Sequence, residues 1–294
     1  MVLTRRDFVA LTAGTLTLGA SVTPAASASA DTLSRRVVEI ERDLSARLGV
    51  FVLDTQTATR FTHRADERFP MCSTFKLVAV GALLARVDEG WERLERRIRF
   101  EAGDVVAHSP VTRSRVGGDG MSFAELCEAA LTASDNTAGN IVIDALNGVS
   151  GVTQFARSIG DRQTLLDRRE TSLNAATPGD PRDTTTPAAM GETLRTLVLG
   201  DILSHASRER LAIWLKANRT GDTRLRAGVP GSWRVGDKTG SGGYGTTNDV
   251  AVLWPPNRAP IIVAVYLTET KASPKTRDAA IASIGQAIAS SLPT

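Results

Sequence analysis

Strand-patterned segments near both ends of the chain and helix-spaced apolar residues through its middle predict an α/β protein of the α+β type. The reading is an antiparallel sheet closed by the two termini, flanked by N- and C-terminal helices, with an all-helical insert and a site between the two parts. Composition supports a packed core, because 42% of the 294 residues are hydrophobic and 23% charged. Thirty-five basic against 32 acidic residues leave a net charge of +3, too balanced for the basic stripe of a nucleic-acid binder.

The first thirty residues read as a targeting segment. Arg5 and Arg6 precede an apolar run from Val9 to Leu18, and a small-residue stretch ends at Ala28-Ser29-Ala30, which resembles a twin-arginine export signal. The run is too short to span a bilayer, which takes about 20 apolar residues. Removal of residues 1–30 implies an exported domain, secreted or periplasmic, with no membrane attachment; a monomer is expected.

Thr32 to Leu48 is expected to be helical, followed by strands at Val50–Leu53 and Thr59–His63 around the turn Asp54 to Thr57. Helix periodicity then covers Leu77–Val87, Phe123–Ala133, Ala138–Leu146, Val152–Ile159, Ala188–Leu199 and Arg208–Leu215. Ser122 with Glu125 forms a capping box, and Thr186-Pro187 pairs an N-cap with a first-turn proline. Strands return at Trp233–Lys238, Asp249–Trp254 and Ile261–Leu267, and a last helix covers Pro274 to Ser291. The parts are assigned as 31–66 with 216–294 for the α/β portion and 67–215 for the helical portion. Asp161 to Thr186 has no sustained period, and so long an irregular loop in a compact domain points to function.

Only five of the 35 basic residues are lysines: Lys76, Lys216, Lys238, Lys271 and Lys275. One of them ends Ser73-Thr74-Phe75-Lys76, where residues three apart share a helix face. There a lysine of lowered pKa can help a hydroxyl act as a nucleophile. Three histidines (His63, His108, His205) and two cysteines lack metal-ligand spacing, so neither a metal nor a cofactor is expected. The stretch Gly231 to Thr239 is close to a phosphate-binding loop, but Asp237 interrupts it and would repel phosphate. No G-x-S-x-G elbow supports a Ser/His/Asp hydrolase.

Three further motifs follow Ser73-x-x-Lys76 in order: Ser134-Asp135-Asn136, Glu170 with Asn174, and Lys238-Thr239-Gly240. With His108 to Thr112, Leu126 to Ala130, Arg168 to Asn174, Arg182 to Pro187 and Thr239 to Gly245, they resemble the class A serine β-lactamases over most of residues 35 to 290. The resemblance implies a five-stranded sheet, an Ω loop over 165–183 and a β-lactam as the small-molecule substrate. It makes Ser73 the nucleophile, Lys76 its partner, Ser134 a proton relay and Glu170 the residue that activates the deacylating water. Backbone N–H groups of Ser73 and Ser241 would form the oxyanion hole. Asn136, Asn174, Lys238, Thr239, Gly240 and Ser241 would bind substrate or orient the water, and Arg168 with Asp183 would brace the Ω loop.

Three positions depart from many relatives. Thr247 stands where a substrate-binding arginine is common, and Arg224 is the expected replacement. His108 occupies the aromatic gatekeeper position at the cleft. Cys127 matches a family cysteine whose partner position is Val80, which implies that Cys72 and Cys127 stay unbridged. A penicillin-binding D,D-peptidase and a β-lactam-sensing domain share parts of the motif set. Glu170 with Asn174 separates the hydrolase from the peptidase; a sensor would acylate and stay trapped and would normally be tethered, whereas no apolar run after the signal-like segment is long enough to span a membrane.

Overall fold

The computed structural model describes residues 24–291, with side chains from Thr32 onward. The arginine pair and apolar run of the signal-like segment lie outside the described residues. Among those described, no helix is long and apolar enough to cross a membrane.

Helix α1 (Pro24–Leu44) ends earlier than periodicity suggests. Ser45 takes φ of +44°, outside the helical region, and the chain enters β1 (Arg47–Asp54), so Leu48 is a strand residue. Strand β2 (Arg60–His63) pairs back on β1. Strands β3 (Arg234–Ser241), β4 (Thr247–Trp254) and β5 (Ile261–Thr268) complete one antiparallel sheet in the order β2-β1-β5-β4-β3. β3 is therefore an edge strand. It runs three residues beyond the expected end at Lys238, and so carries Thr239, Gly240 and Ser241 along the sheet margin.

Alternation in the strands sorts side chains to two cores. Val50, Val52, Val263 and Val265 meet Val37 and Ile40 of α1 and Ile281, Ile284 and Ile288 of α9 (Pro274–Ser290). Phe51, Leu53, Val250, Val252, Ile262 and Ala264 face the opposite way, into the helical portion. Both faces are covered, which explains the unbroken apolar run from Ile261 to Leu267. Each such fully buried aliphatic side chain contributes roughly 1.5–3 kcal/mol.

The helical portion surrounds α2 (Phe75–Asp88), whose residues Phe75 to Leu84 are all buried. A helix apolar on every side must be packed on every side. Its neighbours are α3 (Phe123–Thr132), α4 (Asn136–Ala145), α5 (Val149–Ser158), α6 (Pro187–Leu199) and α7 (His205–Lys216). The capping box at Ser122 and Glu125 forms with both bonds, and Thr186 accepts from the Ala189 N–H; a cap of this kind is worth about 1 kcal/mol. One short helix, α8 (Leu225–Gly228), has no counterpart in the periodicity reading.

The irregular stretch from Asp161 contains a 3-10 turn at Ser172–Ala175. Its end pairs through Thr184–Thr185 with Phe69–Pro70, immediately before the turn that carries Ser73. That short ladder brings two motifs almost a hundred residues apart to one place.

Candidate active site

Ser73 lies in a 3-10 turn, Cys72–Thr74, that leads directly into α2. Cys72 holds φ of +46°, a left-handed conformation uncommon for a residue with a side chain and typical of functional turns. The next turn of helix brings Lys76 Nζ to 3.1 Å from Ser73 Oγ. Lys76 is fully buried and also donates to Asn136 Oδ1 at 2.7 Å and the Ser134 carbonyl at 2.8 Å. Its stem has room because residue 139 is glycine: a Cβ there would stand 2.8 Å from Lys76 Cε.

Ser134 sits between α3 and α4 at φ of +54°. Asp135 holds this corner. It caps α4 through the Ala138 N–H at 2.9 Å and accepts from the Val111 and Thr112 N–H groups, also at 2.9 Å. Asn136 Nδ2 donates to the Ala107 carbonyl at 2.9 Å, which ties in the exposed loop of His108. Ser134 Oγ accepts from Lys238 Nζ at 3.0 Å, so the two motif lysines converge on one hydroxyl from opposite sides.

Glu170 comes from the irregular loop. Its Oε1 accepts from Ser73 Oγ at 3.1 Å and lies 2.9 Å from Lys76 Nζ. Its Oε2 accepts from Asn174 Nδ2 at 2.5 Å. Asn140 of α4 clamps the Glu170 backbone in both directions at 3.0 Å. At the loop base Asp183 accepts from the Arg168 guanidinium and from the Asp167 and Arg168 N–H groups, while only 1% of its surface is exposed.

Across the cleft, Arg224 is 8% exposed and reaches over β3. It donates to Ser241 Oγ at 2.8 Å and to the carbonyls of Gly240 at 3.1 Å and Asn248 at 2.7 Å, and it pairs with Asp278 of α9 at 2.8 Å. Gly240 lets the strand approach the Ser73 turn, since a Cβ there would stand 2.6 Å from the Met71 carbonyl. Ser73, Ser134, Asn136, Asn174, Arg224 and His108 line a cleft of about 280 Å³, floored by Thr239, Gly240 and Ser241.

A buried serine bridged to a lysine and a carboxylate, facing a small cleft with cations on its far wall, suits acyl transfer to an anionic substrate. The β-lactamase enzyme family model matches residues 32–292. Beta-lactamase AST-1 of Nocardia asteroides is 48% identical over 95% of this chain and 89% of its own length. The chain belongs to the class A β-lactamases. Beta-lactamase OXY-2 of Klebsiella oxytoca is 45% identical over 90% of this chain and 91% of that protein. The class A β-lactamase reconstructed as the last common ancestor of Gram-negative bacteria is 61% identical and superposes with a TM-score of 0.87. It covers 88% of this chain and 98% of its own. Membership makes the protein a serine hydrolase of cyclic amides, and hydrolysis of the β-lactam amide with antibiotic resistance is the activity that comes with it.

Electrostatics in this β-lactamase are set by burial. Desolvation lowers the Lys76 pKa from its usual value, and the charge of Glu170 opposes that shift. Lys238 is lowered to about 7, first by burial and then by the charge of Lys76, with Asp237 working the other way. Cys72 and Cys127 are buried, unbridged thiols, each pushed up by desolvation.

All the site residues expected from sequence meet at this cleft or brace it. Sequence reasoning missed Asn140, the bracing role of Asp135, and Thr220, whose hydroxyl meets that of Thr239 at 2.5 Å. Asn140 had one available signal, its position four residues after Asn136 on the same helix face.

Proposed function

We propose that the protein hydrolyses penicillins and cephalosporins through a covalent Ser73 acyl-enzyme. The observation that supports this reading is the position of Ser73 Oγ, which donates to Glu170 Oε1 and accepts from Lys76 Nζ, both at 3.1 Å. Attack forms the Oγ–carbonyl bond while the serine proton passes to Glu170. The oxyanion that develops accepts from the Ser73 and Ser241 N–H groups. When the lactam C–N bond breaks, the leaving nitrogen takes a proton from Ser134, which is resupplied by Glu170 through Lys76. Glu170, ionised again, then removes a proton from a water oriented by Asn174, and that water releases the acyl group.

Lys238, Thr239, Ser241 and Arg224 bind the substrate carboxylate. The second Nδ2 hydrogen of Asn136 meets the substrate amide, and His108 contacts the substrate at the rim. Export by a twin-arginine-type signal and action as a monomer complete the proposal. Mixing the purified protein with a chromogenic cephalosporin tests it: many turnovers per enzyme are expected. A single stoichiometric burst would instead favour a peptidase or sensor.

A further inference from the structure

Two carboxylates without a part in the reaction above, Asp237 and Asp249, are fully buried behind the cleft. Asp237 of β3 pairs with Ala251, and Thr239 pairs with Asp249 of β4. The two acids are therefore diagonal neighbours on one face of the sheet, opposite the face that presents Lys238.

Their surroundings differ. Both Asp237 oxygens have donors at 2.5 Å: Arg226 Nη2 on Oδ1 and Asn218 Nδ2 on Oδ2. Asp249 accepts one bond, from the Leu225 N–H at 3.1 Å on Oδ2, and its buried Oδ1 has no partner. An ionised carboxylate with a bare buried oxygen is costly, and a proton on that oxygen removes the cost. A protonated Oδ1 needs an acceptor, and Asp237 supplies one on the same face.

We propose that Asp249 is held as a neutral carboxylic acid that donates toward Asp237, leaving Asp237 as the one buried negative charge that positions Lys238 and Thr239 for the substrate carboxylate. Burial raises the pKa of both acids, but Asp249 is pushed well above the ordinary carboxylate range, with the Asp237 charge adding to burial, whereas Arg226 and Asn218 work against the rise at Asp237. The other charged groups facing the pair are Arg226 with Asp222, Arg224 with its α9 partner Asp278, and Lys238. Arg277 of α9 and Lys76 of α2 stand behind Arg224 and Lys238.

An ionised Asp237 only accepts, so Asn218 must turn its amide N–H to it and its oxygen to Thr220, which donates from Oγ1 at 2.8 Å and from N at 3.0 Å. Thr220 in turn meets Thr239. The charge thus fixes the polarity of a chain ending at a hydroxyl in the cleft, and it offsets the forces that deprotonate Lys238.

The activity half of this inference rests on the reading of Lys238 as the cation for the substrate carboxylate; the proton on Asp249 does not. Denaturant unfolding of the wild type and Asp249→Asn between about pH 5 and 8 tests the proton directly. Unfolded aspartate titrates near 3.9, so a native state that keeps the proton loses stability as pH rises. The wild-type folding constant should fall about tenfold per pH unit relative to the variant's. Equal pH dependence overturns the proposal, as does an Asp249→Asn chain that fails to fold, because the amide keeps both shape and donor.

In the second arm, Asp237→Asn should move the alkaline limb of kcat/KM for a carboxylate-bearing substrate down by about one pH unit. Asp249→Asn should leave that limb where the wild type has it. A limb moved equally by both variants means that Asp249 was charged, which overturns the proposal. If neither variant moves the limb while the stability slopes differ as expected, the proton stands and the positioning of Lys238 falls.

Discussion

Lys76 Nζ and Glu170 Oε1 lie 2.9 Å apart with neither side chain exposed, and Ser73 Oγ is within hydrogen-bond distance of both. Water cannot screen such a pair, so each charge depends on the other for its solvation. In the proposed mechanism the same closeness lets the pair pass the serine proton.

Lys76→Ala therefore leaves Glu170 buried without its cation. Loss of proton-transfer help predicts acylation slower by about 10²–10⁴-fold, and the unpaired charge predicts destabilisation of about 3–5 kcal/mol at neutral pH. Stopped-flow acylation and denaturant unfolding of the variant check the two effects separately.

Lys238 gives a pH prediction. Its pKa is lowered to about 7, so the folded protein holds this charge below that pH and loses it above. The kcat/KM for carboxylate-bearing substrates should fall as pH rises through that value, with kcat less affected. The stability sign is opposite: between about 7 and 10.4 the unfolded chain binds the extra proton, so this group makes stability rise with pH across that window. Kinetics with a substrate and its carboxylate ester at several pH values isolate the first effect.

Asp183 accepts three N–H donors at the base of the Ω loop while itself at φ of +56°. Asn tolerates that backbone, so Asp183→Asn removes the charge without adding strain. Deacylation should slow more than acylation, because Glu170 rides on this loop. A pre-steady-state burst larger than the wild type's, with a Tm lowered by several degrees, is the expected result.

Arg224 is fixed by Asp278, two backbone carbonyls and Ser241. Arg224→Ala should raise KM for carboxylate-bearing substrates by about tenfold or more, the worth of one charge-assisted hydrogen bond. Steady-state kinetics should show kcat changed far less, and KM for a substrate ester unchanged.

How much of this was legible in the sequence depended on the range of each interaction. The strands at Val50 and Ile261, the helix after Ser73 and the caps at Ser122 and Thr186 follow from local pattern, and they were readable. The polar, glycine-bearing end of β3 and the four-residue α8 carry no apolar period, so neither was. Motif spacing together with family resemblance named Ser73, Lys76, Ser134, Glu170 and Lys238. Asn140 escaped because its partner, Glu170, lies thirty residues away. Asp237 looked only like an interruption of a phosphate loop, since nothing in a linear sequence shows that Asp249 sits diagonally beside it on the next strand.

The fate of Ser73 when Glu170 is removed tests the covalent mechanism most directly. Intact-mass measurement of Glu170→Ala mixed with a penicillin should show the protein carrying one whole substrate molecule, located by peptide mapping to Ser73 and persisting long after wild type has cleared it. Full turnover with no adduct, or an adduct on another residue, would contradict it.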